Sequence, residues 1–258
     1  MCDGGDRMKG NTDSMKYIPL KKDEYPEKKI AAVIFDMYET LVTQYATEVY
    51  FGKKMSVDLG IPIDCFKPPW QESDESRSLG KLTLQEVLTR IMKQHRGLDE
   101  TMELTREDQE KVTYVVEKRT ACKRRQFEFL HEGIVPMLKK LHTRGIKVGL
   151  ISNCFSEEAV AIRESSIVEY FDAVVLSYEV GRMKPDPNIY RLCTQKLGVL
   201  EYQCLFVGDG GSNELDGATA VGMKAVQAGW YLDPTLEGVR KRDYQFLRMP
   251  DEVLEYCR

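Results

Sequence analysis

Four groups of polar residues interrupt the sequence where an apolar run ends or a helix begins. They are Asp36 with Thr40, Ser152-Asn153, Lys184-Pro185, and Gly208-Asp209 with Glu214 and Asp216. A carboxylate at the end of an apolar run is costly to desolvate unless something positive meets it. Asp36 and Asp209 would repel each other if the fold brought them together. A divalent cation bound by oxygen ligands relieves that repulsion, and Mg²⁺ suits such a site. A lysine and a hydroxyl beside it would bind the oxygens of a phosphoryl group. Those are the parts that phosphoryl transfer to an aspartate nucleophile requires. Each group taken alone has a plainer reading: Asp36 as a turn cap, Lys184 as a surface residue, GDGG as a tight loop. It is their conjunction that points to chemistry.

The elements that must position these groups are legible as apolar runs: Ile30–Phe35, Ile146–Ile151, Ala173–Leu176, Cys204–Val207 and Met223–Gln227, with a weaker one near Tyr244–Leu247. Unbroken runs of this kind come from strands buried on both faces of a parallel sheet. Helical patterns lie between them. Ile134-Val135-Pro136 opens one that Gly145 stops, Ser156 reads as the N-cap of a second, and Asn188–Leu197 and Ser212–Val221 supply two more. Strand–helix alternation predicts a doubly wound α/β sheet, with ligands at the carboxyl ends of its strands.

Residues 45–130 break the rhythm. They hold no clear strand, and Thr47–Leu59, Leu82–Met92 and Glu107–Leu130 have helical spacing. This predicts a helical insertion covering the strand ends, because so long a loop without structure of its own is implausible. Lys123-Arg124-Arg125 reads as a solvated helix face. Tyr50, Phe51, Phe66 and Trp70 read as core of the insertion rather than pocket wall, and Tyr190 as packing for its helix. Residues 1–28 are polar and aperiodic and read as a loose tail. The expected division is a tail (1–28), an α/β core (29–44 and 131–258) and the insertion (45–130).

Hydrophobic content of 42%, charged content of 30% and a net charge of −4 give no reason to expect nucleic acid or an anionic membrane as partner. No run approaches the roughly 18 apolar residues that span a bilayer, and MCDGGDRMKGNTDSMKY lacks the apolar centre of a signal peptide. The seven cysteines (Cys2, Cys65, Cys122, Cys154, Cys193, Cys204, Cys257) are scattered, with no C-x-x-C pair. The expectation is reduced thiols in a cytoplasmic protein. Cys154 follows Ser152-Asn153, but with no paired histidine nearby in sequence it reads as a buried structural thiol. Oligomeric state has no signature here.

The motifs together resemble the haloacid dehalogenase (HAD) superfamily of hydrolases. FDMYETL matches its first motif, LISN the second, the lysine of GRMKPDPNIY the third and FVGDGGSNELDGA the fourth, in family order. The resemblance covers residues 30–44 and 131–250 and makes the intervening segment a C1-type helical cap. It implies a Rossmann-like core, Mg²⁺ in most phosphatase members, a small phosphorylated substrate, and hydrolysis through a covalent aspartyl intermediate. By position, Asp36 resembles the nucleophile, and the backbone carbonyl of Tyr38 a metal ligand. Ser152 would hold the phosphate, Thr40 would steady the first loop, and Lys184 would neutralise nucleophile and phosphate. Asp209 would bind Mg²⁺ directly. Glu214, with Asp216 as the alternative, would do so through water. Asn153 would either orient substrate or brace its turn.

One position departs from the family's phosphatases. The residue two beyond their nucleophile is an acid–base aspartate, and here it is Tyr38. A phenol, with an ordinary pKa of about 10, is a poor base at neutral pH, so a group worth roughly 10²–10⁴-fold is missing. Three functions follow. The first is a Mg²⁺-dependent phosphatase with tyrosine in that place, served by a good leaving group, by Glu39 or by a residue of the cap. Glu39 is adjacent, although neighbours on an extended segment point to opposite faces. The second is a 2-haloacid dehalogenase-type hydrolase with an aspartyl-ester intermediate, since halide leaves without a proton and such enzymes carry tyrosine here. The third is a slow-turnover phosphate-binding regulatory module. Dehalogenases of the family have a metal-free Ser-Ser-Asn segment where this chain has Gly208-Asp209-Gly210. They also need a cation early in the cap, for which Lys67, in a KPPW stretch that reads as a linker, is a poor match. The phosphatase reading is preferred.

Overall fold

The structure is a computed structural model that describes residues 29–257. The expected tail over 1–28, with Cys2, lies outside the described residues. Strand β1 (Ala32–Phe35) is followed by five helices: α1 (Gly52–Leu59), α2 (Ile63–Glu72), α3 (Asp74–Ser78), α4 (Leu84–Arg96) and α5 (Arg106–Gln126). Then come α6 (Ile134–Thr143), β2 (Lys147–Ser152), α7 (Ser156–Glu164), β3 (Ala173–Leu176), α8 (Ser177–Val180) and α9 (Pro187–Leu197). The chain continues through β4 (Cys204–Gly208), α10 (Glu214–Ala220), β5 (Lys224–Ala228) and β6 (Gln245–Leu247).

The strands form one parallel sheet in the order β3-β2-β1-β4-β5-β6. Strand β1 lies at its centre and is buried on both faces, which is why its sequence carries no polar alternation. Its residues still alternate between two apolar layers. Val33 and Phe35 pack with Met137, Leu138 and Leu141 of α6. Ala32 and Ile34 face the other way, onto Ile189, Cys193 and Leu197 of α9 and Leu215 and Ala218 of α10. The sheet is the doubly wound Rossmann-like arrangement that the alternation predicts. Spatial order departs from chain order between β1 and β4, and the crevice beyond their carboxyl ends is where such sheets bind ligands.

Helices α1, α2, α4 and α5 share a third apolar cluster, which includes Tyr50, Phe66, Leu88 and Val115. Trp70 stacks on Phe66 at 5.5 Å, whereas Phe51 lies at the surface. Several local expectations need correction. Helix α1 starts at Gly52, not Thr47, and α5 ends at Gln126. KPPW is not a linker: Pro68 and Pro69 lie inside α2. The carbonyls their missing N–H groups leave behind, by the i→i−4 rule, are those of exposed Asp64 and Cys65, which water can reach.

The largest correction concerns Lys123, which is no solvated cation. Helix α5 packs along α7, and Lys123 Nζ is buried 2.8 Å from Glu158 Oε1. One turn earlier, buried Arg119 Nε lies 2.6 Å from Glu157 Oε1, and Arg124 pairs with Glu164 at the exposed edge. The two glutamates in the first turn of α7 favour its dipole and give α5 its counter-charges. Ser156 is the first residue of α7 rather than its cap, and its Oγ accepts a bond from the Leu84 amide at 3.0 Å. Gly80 completes the contact: a Cβ there would stand 2.0 Å from the Tyr178 carbonyl oxygen, so only glycine permits the approach. No helix among the described residues is long and apolar enough to cross a membrane.

Candidate active site

Asp36 is the residue after β1 and Asp209 the residue after β4. The two strands are hydrogen-bonded neighbours, with Phe35 opposite Val207, so the acids emerge side by side. Glu214 joins them from the start of α10, and carboxylate oxygens of Asp36, Asp209 and Glu214 lie within 4.8 Å of one another. Gly208 makes this possible, because a Cβ there would stand 2.1 Å from Glu214 Oε1. That oxygen accepts the Gly210 amide at 3.1 Å. Lys184, also buried, donates from Nζ to Asp36 Oδ1 and, at 2.5 Å, to Glu214 Oε2.

Asn153 lines the cavity and bonds the Lys184 backbone twice through its side-chain amide. Its Oδ1 accepts the Lys184 amide at 2.7 Å, and its Nδ2 donates to the Lys184 carbonyl at 3.0 Å. This double bond pattern ties the loop after β2 to the lysine. Ser152, the last residue of β2, is buried, and its hydroxyl makes only a 3.5 Å contact with the Asn153 carbonyl.

The electrostatics are unbalanced: three carboxylates face one ammonium. Burial, then Asp36 and Asp209, push Glu214 up to about 8 against the pull of Lys184. Burial likewise raises Asp36, with Asp209 adding to it and Lys184 opposing. Burial works to lower Lys184, but Asp36 and Glu214 hold it above its ordinary value. The cluster has room in its charge balance for a cation, and its donor set is all oxygen.

The remaining candidates fall in different places. The backbone bonds of the turn after Asp36 run through the Met37 carbonyl and the Glu39 amide and leave the Tyr38 carbonyl out. The Tyr38 side chain turns away from solvent. Its hydroxyl is buried without a partner, and Lys123 Nζ stands 4.9 Å from its ring centroid. Burial, then Glu158, Cys154 and Glu157, raise that phenol well above its ordinary value. Glu39 adopts a left-handed conformation (φ 57°), so the extended-chain expectation that it points away from the site does not hold. Its carboxylate accepts Thr43 Oγ1 at 2.7 Å and the Gln44 amide at 3.1 Å. Thr40 is buried with an unpartnered hydroxyl; what holds its turn is its carbonyl, which accepts Trp230 Nε1 at 2.6 Å. Asp216 stays outside the cluster and accepts Tyr244 Oη at 2.5 Å. Tyr190 packs as expected and donates to the Glu214 carbonyl at 2.8 Å. Cys154 is buried, and its thiol is raised by that burial, the opposite of an activated nucleophile.

Two supports were not singled out in the sequence. Trp230 is one. The other is Gln227 of β5, fully buried, whose Nε2 donates to the carbonyls of Asp209 and Val239, both at 2.7 Å, and whose Oε1 accepts the Lys241 amide at 2.8 Å. An amide in the otherwise apolar end of KAVQA was the available signal.

The cavity at the cluster measures about 200 Å³ and is lined by Asp36, Tyr38, Glu39, Gln44, Asn153, Lys184, Asp209, Gly211, Ser212 and Glu214. None of residues 45–130 is among them. A larger groove, about 500 Å³, runs over α4 between Thr83 and Glu100 but gathers no converging carboxylates.

Comparison with known proteins agrees with this geometry. A family model described as haloacid dehalogenase-like hydrolase matches residues 30–222. Among curated proteins, pyrophosphatase PpaX of Halalkalibacterium halodurans is 28% identical over 48% of this chain and 54% of its own length. A phosphoglycolate phosphatase of Salmonella paratyphi A is 33% identical over 38% of this chain and 39% of its own. The chain thus spans about half or less of the length of these relatives. Among solved structures, a 2-haloacid dehalogenase of Pseudomonas syringae shares the fold, with a TM-score of 0.66 and 20% identity over 88% of this chain and 97% of that one. The match over most of the described residues, with the acids and lysine of its motifs meeting at one sheet edge, establishes that the chain belongs to the haloacid dehalogenase-like hydrolase family.

Proposed function

We propose that the protein is a Mg²⁺-dependent phosphatase that hydrolyses a small phosphomonoester through an aspartyl-phosphate at Asp36. The observation that carries this reading is the meeting of three carboxylates and one buried lysine on a cavity of about 200 Å³. Asp36, Asp209, Glu214 and the Tyr38 carbonyl would hold the ion, Glu214 through water. When bound, Mg²⁺ neutralises charge on the carboxylates and on the phosphoryl oxygens. Residues 45–130 serve as the cap, with 29–44 and 131–258 as the core; the apolar cluster of their own that α1, α2, α4 and α5 share supports that division, with Phe127 packing onto the core.

The chain's own residues do the following. A carboxylate oxygen of Asp36 attacks phosphorus as the bond to the leaving oxygen breaks, and that oxygen departs with the electron pair. Lys184 binds non-bridging oxygens, and the Ser152 hydroxyl joins it by giving up its long 3.5 Å bond to the Asn153 carbonyl. Asn153 fixes Lys184 for this task. Water then attacks phosphorus, releases inorganic phosphate and restores the Asp36 carboxylate. The Tyr38 hydroxyl takes no part, because it is buried without a hydrogen-bond partner and burial holds its proton on. Protonation of the leaving oxygen falls to water or to Glu39, which lines the cavity. Esters with good leaving groups, such as acyl phosphates or sugar-1-phosphates, therefore turn over fastest. The similarity to pyrophosphatase PpaX and a phosphoglycolate phosphatase supports phosphorus chemistry.

Tyr38 favours a second reading, a 2-haloacid dehalogenase-type hydrolase forming an aspartyl ester. Asp209 and Glu214 argue against it, because unneutralised carboxylates repel a haloacid anion. One pair of assays separates the two. The phosphatase hydrolyses p-nitrophenyl phosphate, stops with EDTA and recovers with Mg²⁺. Chloride release from 2-chloropropionate in EDTA, with no phosphate hydrolysis, would overturn it. Uptake of Mg²⁺ and phosphate without either turnover would mark a binding module.

A further inference from the structure

We infer that Gln227 and Trp230 form a clasp that sets the spacing of Asp36 and Asp209 for a divalent cation, so that these two positioning residues control the affinity for Mg²⁺. The inference rests on the cation of the phosphatase reading and deepens it.

The ladder between β1 and β4 carries the two acids as far as the strand ends, where the Asp36 amide donates to the Val207 carbonyl at 2.9 Å. Beyond that point each acid depends on its own turn. Both turns are held from a third place, the end of β5 and the residues after it. Gln227 is fully buried and pairs with Gly208 in the sheet. Its Nε2 donates at 2.7 Å to the carbonyl of Asp209 itself, and also at 2.7 Å to that of Val239, while its Oε1 accepts the Lys241 amide at 2.8 Å. Both N–H groups and the oxygen of the amide are used, and a buried amide so satisfied holds one geometry. Further along, Trp230 Nε1 donates to the Thr40 carbonyl at 2.6 Å. Thr40 belongs to the turn that follows Asp36, which the Leu41 and Val42 amides close by donating to the Met37 carbonyl at 2.8 and 3.1 Å. A hold on Thr40 is therefore a hold on the residue next to Asp36.

The bend between the two arms is fixed against β6. The chain leaves β5 through Gly229, whose amide donates to the Leu247 carbonyl at 2.8 Å. A Cβ on Gly229 would stand 2.7 Å from that carbonyl oxygen and 2.2 Å from Phe246 Cζ. Tyr231 anchors the far side, its hydroxyl accepting the His131 amide at 2.8 Å. What the clasp works against is repulsion. Asp36, Asp209 and Glu214 lie together with Lys184 alone opposing them, and such acids move apart unless their backbone is held. Mg²⁺ demands near-ideal octahedral geometry at about 2.0–2.1 Å, so a spacing held in advance spares the ion the cost of ordering its ligands. Both arms bond backbone carbonyls of the acid-bearing turns, which leaves the carboxylate oxygens to the ion.

The test is the Kd for Mg²⁺, measured by titration calorimetry on the cation-free full chain, in wild type, Gln227→Met, Trp230→Phe and Val115→Ala. Gln227→Met keeps the length of the side chain and loses its three bonds; Kd rises about ten- to hundredfold, as for partners that orient a metal's ligands from outside. Trp230→Phe keeps an aromatic ring and loses one bond; Kd rises about two- to tenfold. Val115→Ala removes packing within the cluster of α1, α2, α4 and α5, lowers Tm and leaves Kd unchanged. With p-nitrophenyl phosphate, the Mg²⁺ concentration giving half the maximal rate rises in step with Kd, and saturating Mg²⁺ returns kcat of Trp230→Phe to within about twofold of wild type. A Kd unchanged in both clasp variants, or raised as far by Val115→Ala, overturns this inference and leaves the phosphatase reading standing. A wild type that takes up no Mg²⁺ overturns both.

Discussion

Two clusters of charged side chains, both largely withdrawn from water, lie on either side of Tyr38, and they differ in balance. At the α5–α7 contact, Arg119 and Lys123 meet Glu157 and Glu158, two cations against two anions. At the sheet edge, Asp36, Asp209 and Glu214 meet Lys184 alone. The consequence shows in proton affinity. Burial alone would raise Glu158, yet Lys123 and Arg119 hold it below the ordinary carboxylate range. Glu214, equally buried, is pushed up to about 8. A balanced cluster is complete and can serve packing. An unbalanced one is relieved by a proton or by a cation from outside the chain, which is the physical mark of a binding site.

The largest effects belong to the unbalanced cluster. Asp36→Asn lowers kcat for p-nitrophenyl phosphate by about 10⁴-fold or more, as loss of a covalent nucleophile does. Circular dichroism and a melting curve check that the fold is kept. A variant retaining a tenth of wild-type activity would place the nucleophile elsewhere. EDTA removes activity in the wild type and Mg²⁺ restores it. At a hundredfold excess over Kd, Mg²⁺ also stabilises the fold by about 2.7 kcal/mol, read as a rise in Tm. An ion that leaves Tm unmoved would break the contrast between the two clusters.

The balanced cluster governs stability instead. Glu158→Gln leaves Lys123 buried without its counter-charge and destabilises the fold by about 3–5 kcal/mol. Adding Lys123→Met recovers part of that loss, a coupling that a double-mutant cycle measures. The pH dependence has opposite signs in the two places. The stability that Glu158 contributes is full above the ordinary carboxylate range and is lost as pH falls through its depressed folded value. With Mg²⁺ bound, Tm therefore holds from neutral pH down to about pH 5 and drops below it, and Glu158→Gln makes this acid limb shallower. The raised Glu214 binds its proton more tightly folded than unfolded, so without a cation it subtracts stability as pH rises towards about 8. Calorimetry with and without Mg²⁺ shows that loss in the cation-free protein only.

The same contrast marks what sequence can reveal. Asp36 and Asp209 stood out because each ends an apolar run, and the strand that carries a run dictates where its last residue emerges. Lys123 did not, because a Lys-Arg-Arg triplet looks solvated until its partner is known, and Glu158 belongs to a helix far along the chain. KPPW looked like a linker because proline opposes helices locally. The packing of Phe66 and Trp70 outweighs that preference, and no local rule contains it. The sheet was legible because burial on both faces shows in composition. The left-handed turn at Glu39 was not, since glutamate gives no sign of a positive φ.

The smallest effect is the most pointed, since Tyr38 lies where the clusters meet. Tyr38 lines the cavity, Lys123 Nζ stands 4.9 Å from its ring centroid, and its hydroxyl is buried without a partner. An unbonded buried hydroxyl carries a desolvation penalty of about 1–3 kcal/mol, so Tyr38→Phe keeps the ring and raises Tm slightly. A proton donor at that position would instead show a loss of kcat that grows as the leaving group worsens. The structure leads to the opposite expectation: the plot of log kcat against leaving-group pKa has the same slope in Tyr38→Phe as in wild type. A steeper slope in the variant would mean that the phenol reaches the reacting oxygen, and that the boundary drawn here between a packing cluster and a catalytic one is in the wrong place.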